Sequence, residues 1–142
     1  MLGDQLISPL VDLSINLYMN EISNQSFTEL DVWKKGRELK KEIEILVKTF
    51  PADEKYRLTD QIIRSVRSIN SNIAEGHGRF TYKDQLHFCI QARGSLSETK
   101  NHLIDAFDCN YITQDQLISY KTKVDEVGRL LNGYITYLRK NL

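Results

Sequence analysis

Residues 68–79 read Ser68-Ile69-Asn70-Ser71-Asn72-Ile73-Ala74-Glu75-Gly76-His77-Gly78-Arg79. Ile69 and Ile73 stand four apart, as on one face of a helix, and the apolar run stops there. Gly76 is expected to close the helix in a left-handed conformation, which glycine adopts without steric penalty. Gly78 keeps the next turn loose. Asn72 and Glu75 then sit at a helix end, where unpaired backbone groups need partners. Asn72, Glu75 and Gly76 are therefore expected to form a hydrogen-bonded structural corner. The same string also reads as a polar site completed by Arg79.

Upstream of this corner, Leu58, Ile62, Val66, Ile69 and Ile73 form one seam and predict a helix over 54–75. Val32, Gly36, Leu39, Ile43, Leu46 and Phe50 alternate by four and three and predict another over 31–49. Pro51 stops it, because proline disfavours helical geometry in the residue before it. Downstream, Thr81 is a good N-cap, with Asp84 in the first turn of a helix predicted over 82–108. Leu86, Cys89, Ile90, Leu96, Leu103 and Phe107 line its face. Gly94, Ser95 and Ser97 lie in its middle. A mid-helix glycine costs about 1 kcal/mol relative to alanine, and a close helix crossing is the physical reason expected for it. Thr113-Gln114-Asp115-Gln116 fits a capping box and opens a fourth helix. Its seam is Leu117, Tyr120, Val124, Val127, Leu131, Tyr134 and Leu138. No strand-like alternation of useful length is present. Four helices with short links predict an all-α protein, an antiparallel up-down-up-down four-helix bundle over 27–142. Residues 1–26 are an N-terminal extension or arm. Met19 offers a second start, so residues 1–18 are either an optional extension or an arm that packs on a neighbouring subunit.

The chain has 142 residues, 41% hydrophobic and 27% charged, with 2 prolines and 7 glycines. These values fit one folded domain with a real core rather than a loop-rich chain. Lys and Arg number 19, as do Asp and Glu, so the net charge is zero and any nucleic-acid role needs a local basic patch. Residues 1–18 include Leu2, Leu6, Ile7, Leu10, Val11, Leu13, Ile15 and Leu17 but no Lys or Arg, and Asp4, Pro9 and Asp12 interrupt them. No apolar run is long enough for a membrane span or a secretory signal, and a cytoplasmic protein is expected. Cys89 and Cys109 fall in helical patterns and read as buried thiols of a reducing compartment.

Candidate chemistry is sparse. Arg64, Arg67, Arg79, Lys83 and Arg93 form the densest basic set, with Lys100, His77 and His87 nearby in sequence. Arg64 and Arg67 are three apart on one helix face and can act together on phosphates. Interspersed charges also pair with one another, and Asp60, Glu75, Asp84 and Glu98 are the alternative partners. Glu98 and His102 are four apart, but no second such pair exists, so no metal site is expected. His87 and Cys89 are two apart and point to different helix faces, which rules out a nucleophile–base pair. Gly76-x-Gly78 follows a helix, whereas a nucleotide-binding glycine loop follows a strand. No catalytic residues, cofactor or metal are expected, and the chain reads as non-enzymatic.

With the helices placed, several strings resemble a known family. They are Leu30-Asp31-Val32-Trp33, Phe50-Pro51, Leu58-Thr59-Asp60-Gln61-Ile62-Ile63-Arg64-Ser65, Ser71-Asn72-Ile73-Ala74-Glu75-Gly76, Gly78-Arg79, and Ala92-Arg93-Gly94-Ser95-Leu96 followed by Glu98-Thr99-Lys100. In this order and spacing they resemble the four-helix-bundle proteins encoded by intervening sequences of bacterial 23S ribosomal RNA genes, over residues 27–140. The resemblance implies a bacterial homopentamer. It also points to relatives that serve diversity-generating retroelements, partner a reverse transcriptase and bind nucleic acid. Those relatives are basic, whereas this chain is neutral, and position 70, often proline in the family, is Asn70. The resemblance thus implies an oligomeric scaffold associated with RNA or DNA, or alternatively an accessory factor for a protein partner such as a reverse transcriptase. Trp33, Val47, Ile118, Leu130 and Tyr137 lie outside the seams. One bundle is not expected to cover them all, which also favours an oligomer.

Overall fold

A computed structural model describes residues 26–142. A short 3-10 turn, Phe27–Glu29, leads into four α-helices: α1 Asp31–Leu46, α2 Leu58–His77, α3 Tyr82–Asp108 and α4 Gln114–Lys140. No strand occurs among the described residues, and no helix among them is long and apolar enough to cross a membrane. Residues 1–25, which include nearly all of the expected arm, lie outside the described residues.

Each predicted seam residue of α1 and α2 is buried, as is Phe50. α1 ends at Leu46, where a 3-10 turn, Val47–Thr49, takes over and the Thr49 hydroxyl donates to the Leu46 carbonyl at 2.7 Å. Phe50 is extended ahead of Pro51. α2 starts at Leu58, the first residue of its seam and four residues later than expected. A 3-10 turn, Ala52–Glu54, intervenes, and the Glu54 carboxylate accepts from the Leu58 backbone N–H at 3.2 Å, capping the helix from a distance. The caps at Thr81 and Thr113 form as expected, the latter with its full capping box.

Two faces depart from their seams. On α3, Ile90 is 40% exposed, whereas Ala92, Thr99, His102 and Ala106 are buried. Small and polar residues carry this part of the core, so an apolar-only pattern misplaces its centre. On α4 the core steps from Leu131 to Ile135, leaving Tyr134 half-buried.

The helix end that opened the sequence reading is built differently. Gly76 is helical, no described glycine has a positive φ, and α2 runs on to His77. Gly76 is required by packing: a Cβ there would meet the Phe88 Cβ at 2.8 Å and the Gln85 carbonyl at 3.1 Å. The left-handed residue is Asn110, with φ 61°, where α3 ends and the Tyr111 N–H returns to the Ala106 carbonyl at 2.9 Å. Gly94 faces open space, so no helix crossing explains it. The close approach is instead at Gly36 against Asn70.

α1 packs against α2 and α4, and α3 packs against α2 and α4, closing a ring of four. Cross-helix contacts pair Glu44 with Arg67, Ser65 with Thr99, Ser68 with Ser95, Lys100 with Asp125, and Lys35 and Glu42 with Glu126 and Lys123. Along every helix pair that has two such contacts the numbers run in opposite order, consistent with the expected up-down-up-down bundle. The core is the interior of this ring. Val47 is buried, and Trp33 and Leu130 pack partly against the core, so of the off-seam residues Ile118 and Tyr137 stay exposed.

Candidate nucleic-acid interface

The ring separates the five basic residues. Arg64 turns along its own helix to Asp60 at 3.0 Å, and Arg67 crosses to Glu44 on α1 at 2.8 Å. They share a helix face but not a ligand. Arg79 pairs with Glu75 at 2.6 Å and stacks over Phe88, its guanidinium carbon 4.8 Å from the ring centroid. Exposed pairs of this kind contribute little to stability, and each still occupies one cation. Lys83 and Arg93 enter no ion pair among the described residues. Arg67 lies on the α1–α2 side of the ring and Arg93 on the α3–α4 side, so no single patch contains all five.

A cationic groove does form between α3 and α4. It has a volume of about 400 Å3 and is lined by Arg93, Lys100 and Arg129 above a floor that includes Leu96, Val124 and Gly128. Asp125, the one acid in the lining, is held by Lys100 at 2.8 Å. Arg129 enters no ion pair among the described residues, and an added Cβ at Gly128 would meet nothing, which leaves the groove open. Arg93 and Lys100 are seven apart on α3, so their shared face was legible in sequence. Arg129 was missed because only the α3–α4 packing brings it there.

Charge partition strengthens this surface. Asp4, Asp12 and Glu21 are the only charged side chains in residues 1–25, so residues 26–142 hold 19 basic against 16 acidic groups, a formal +3.

The corner residues are structural in a different sense from that expected. The Asn72 amide donates back one turn to the Ser68 carbonyl at 2.9 Å and hydroxyl at 3.0 Å, so it does not cap the helix end. Ser68 also receives the Ser95 hydroxyl at 3.0 Å, and one turn deeper the Thr99 hydroxyl meets Ser65 at 2.9 Å. This polar ladder pins the register of α2 on α3. Glu75 serves Arg79.

Reactive groups do not converge. Cys89 is buried, and burial pushes its thiol up to about 11, away from a nucleophilic thiolate. Cys109 is exposed just past the end of α3, contrary to the expectation of a buried thiol. His102 is buried, with Glu98 at 3.6 Å and Asp105 at 3.9 Å, both beyond hydrogen-bond range. Among the described residues no group of three His, Cys, Asp or Glu side chains is arranged to hold a metal ion.

A family model described as 23S rRNA-intervening sequence protein matches residues 28–133. A crystal structure of a protein of unknown function from the S23 ribosomal protein family of Bacteroides thetaiotaomicron is similar in fold, with a TM-score of 0.69 and 28% identity, over 74% of this chain and 95% of that one. No curated protein matches the chain.

Proposed function

The chain belongs to the 23S rRNA-intervening sequence protein family, and from that premise we propose a non-enzymatic, cytoplasmic, oligomeric up-down-up-down bundle that acts as a scaffold on nucleic-acid phosphates. The α3–α4 groove carries this proposal: three cations, one satisfied acid and a glycine-opened wall, on a folded part that is net positive. Such a groove meets phosphates through charge and leaves the bases unread.

Beside the groove, α3 presents an outer stripe of Ile90, Gly94, Ser97 and Ile104. Ile90 is 40% and Ile104 37% exposed, two heptads apart. An exposed apolar stripe with small residues between its isoleucines suits helix packing against another subunit. Subunits joined there bring neighbouring grooves side by side, which raises avidity for a polyanion. The family resemblance sets five as the expected number.

Native mass measurement with and without nuclease tests both halves. The expected result is a multiple of the 16.5 kDa protomer that loses mass on nuclease treatment. Gel shifts with structured RNA should weaken steeply with salt, and replacing Arg93 and Arg129 with alanine should lower the salt slope by about two contacts. No shift at tens of micromolar protein in low salt returns the chain to the alternative, an accessory factor for a protein partner. Ile90→Glu should reduce the oligomer; an unchanged mass removes the stripe as its interface.

A further inference from the structure

Leu30, the residue that precedes α1, and three helices form one open pocket of about 560 Å3, lined by Leu30, His77, Tyr82, Gln85, Tyr134 and Tyr137. It is a tyrosine cage. Tyr134 and Tyr137 stack with centroids 6.2 Å apart and planes 10° apart, and Tyr82 meets Tyr137 edge-on at 6.2 Å. Gln85 fixes the wall, its amide donating to the Arg79 carbonyl at 3.1 Å. Tyr134, the half-buried ring, packs against the core, and burial pushes its phenol up to about 12. Tyr82 and Tyr137 stay 40% and 51% exposed, and here the exposed aromatic rings adjoin one another instead of lying scattered.

We propose that the occupant of this pocket is the chain's own N-terminal segment, bound through its leucines in the same subunit. Leu6, Leu10, Leu13 and Leu17 recur at spacings of four, three and four, a continuous apolar edge in a segment without Lys or Arg. The tether is short. Leu17 is nine residues before Ser26, where the described chain begins, and Leu30 is itself a wall of the pocket. Nine residues reach about 30 Å when extended, so the leucines reach the cage without strain. A tether of this length holds them at an effective concentration on the order of millimolar, far above that of a second copy at micromolar protein. Charge agrees. The segment carries only Asp4, Asp12 and Glu21, whereas Lys83, Arg139 and Lys140 stand at the pocket's end of the bundle. Of the acids there, Asp31 and Asp84 lie in the first turns of α1 and α3 and answer those helix dipoles, Glu75 is held by Arg79 at 2.6 Å, and Glu29 faces Lys34 at 3.8 Å.

A photo-crosslinking residue in place of Leu13 in the full chain tests the placement. The expected product has the mass of one protomer on a denaturing gel, with the crosslink on the tryptic peptide that carries Tyr134 and Tyr137. A crosslink on any other surface, or a product of twice the protomer mass, overturns the proposal, the latter by placing the segment on a neighbouring copy. Leu10→Asp with Leu13→Asp should raise the rate of tetranitromethane nitration at Tyr82 and Tyr137 several-fold with the circular dichroism unchanged. An unchanged nitration rate also overturns it.

Discussion

The side chain of Asn70 on α2 occupies the space where a Cβ of residue 36 on α1 would stand. Its Oδ1 would overlap that Cβ and its Cγ lies 3.0 Å away, while its amide donates to the Trp33 carbonyl at 3.0 Å. Asn70 is buried and its Oδ1 has no hydrogen-bond partner, so the side chain cannot swing aside without losing its one bond, from the amide to Trp33. Gly36→Ala gains helix propensity on α1 and still should cost about 1–3 kcal/mol through overpacking. Urea unfolding measures it. Adding Asn70→Ala should recover at least about 0.5 kcal/mol of the expected sum, and strict additivity would show that the two residues do not share the contact.

Glycine replacements should sort by neighbour rather than by backbone. Gly76→Val drives a side chain into Phe88 and the Gln85 backbone and should destabilise by at least about 1 kcal/mol. Gly133→Ala meets nothing within 4 Å and should stabilise by about 0.5–1 kcal/mol, the ordinary gain for an exposed helix interior. Equal changes in melting temperature at the two sites would contradict the close α2–α3 approach.

Thr99→Val keeps the shape of a buried residue and deletes its hydroxyl, which lies 2.9 Å from Ser65 Oγ and 2.8 Å from the Ser95 carbonyl. The expected loss is about 1 kcal/mol. A neutral result in chemical denaturation would mean that the α2–α3 ladder contributes register without stability.

Alkaline unfolding follows from two raised acids. Burial lifts Cys89 from 9.0 to about 11 and Tyr134 from 10.0 to about 12. Each is neutral in the folded state where the unfolded chain is already ionised, so the unfolded state binds fewer protons and stability falls as pH rises. Stability should be level below about pH 9 and decline from there to about pH 12. Cys89→Ala should remove the earlier part of the decline in a pH series of melting curves. At neutral pH a thiol reagent should label Cys109 at once and Cys89 only on unfolding.

Much of the fold was legible because a helix reports its buried face through spacing. The seams of α1 and α2, both threonine caps and the proline stop all follow from local rules that act within one or two turns. Gly76 shows where such rules end. A glycine after an apolar run reads as a helix terminator, yet this one is kept by Phe88 on the next helix, a contact between helices that no pattern along one segment of sequence reports. Gly94 and Gly36 exchange roles for the same reason.

The candidate site divides in the same way. The helix register alone made Arg93 and Lys100 neighbours and set Arg64 beside Arg67. Which cations meet across helices was decided by packing: Arg67 goes to Glu44 on one side of the ring, and Arg129 joins Arg93 on the other. Periodicity, caps and charge content are properties of the chain, so the sequence determined an all-helical protein of this family with four segments. Cross-helix register depends on side chains distant in sequence meeting in space, so only the tertiary structure decided that Asn70 fills the place of a Gly36 side chain, that Asn110 takes the left-handed turn, and that Arg93 and Arg129 meet between α3 and α4.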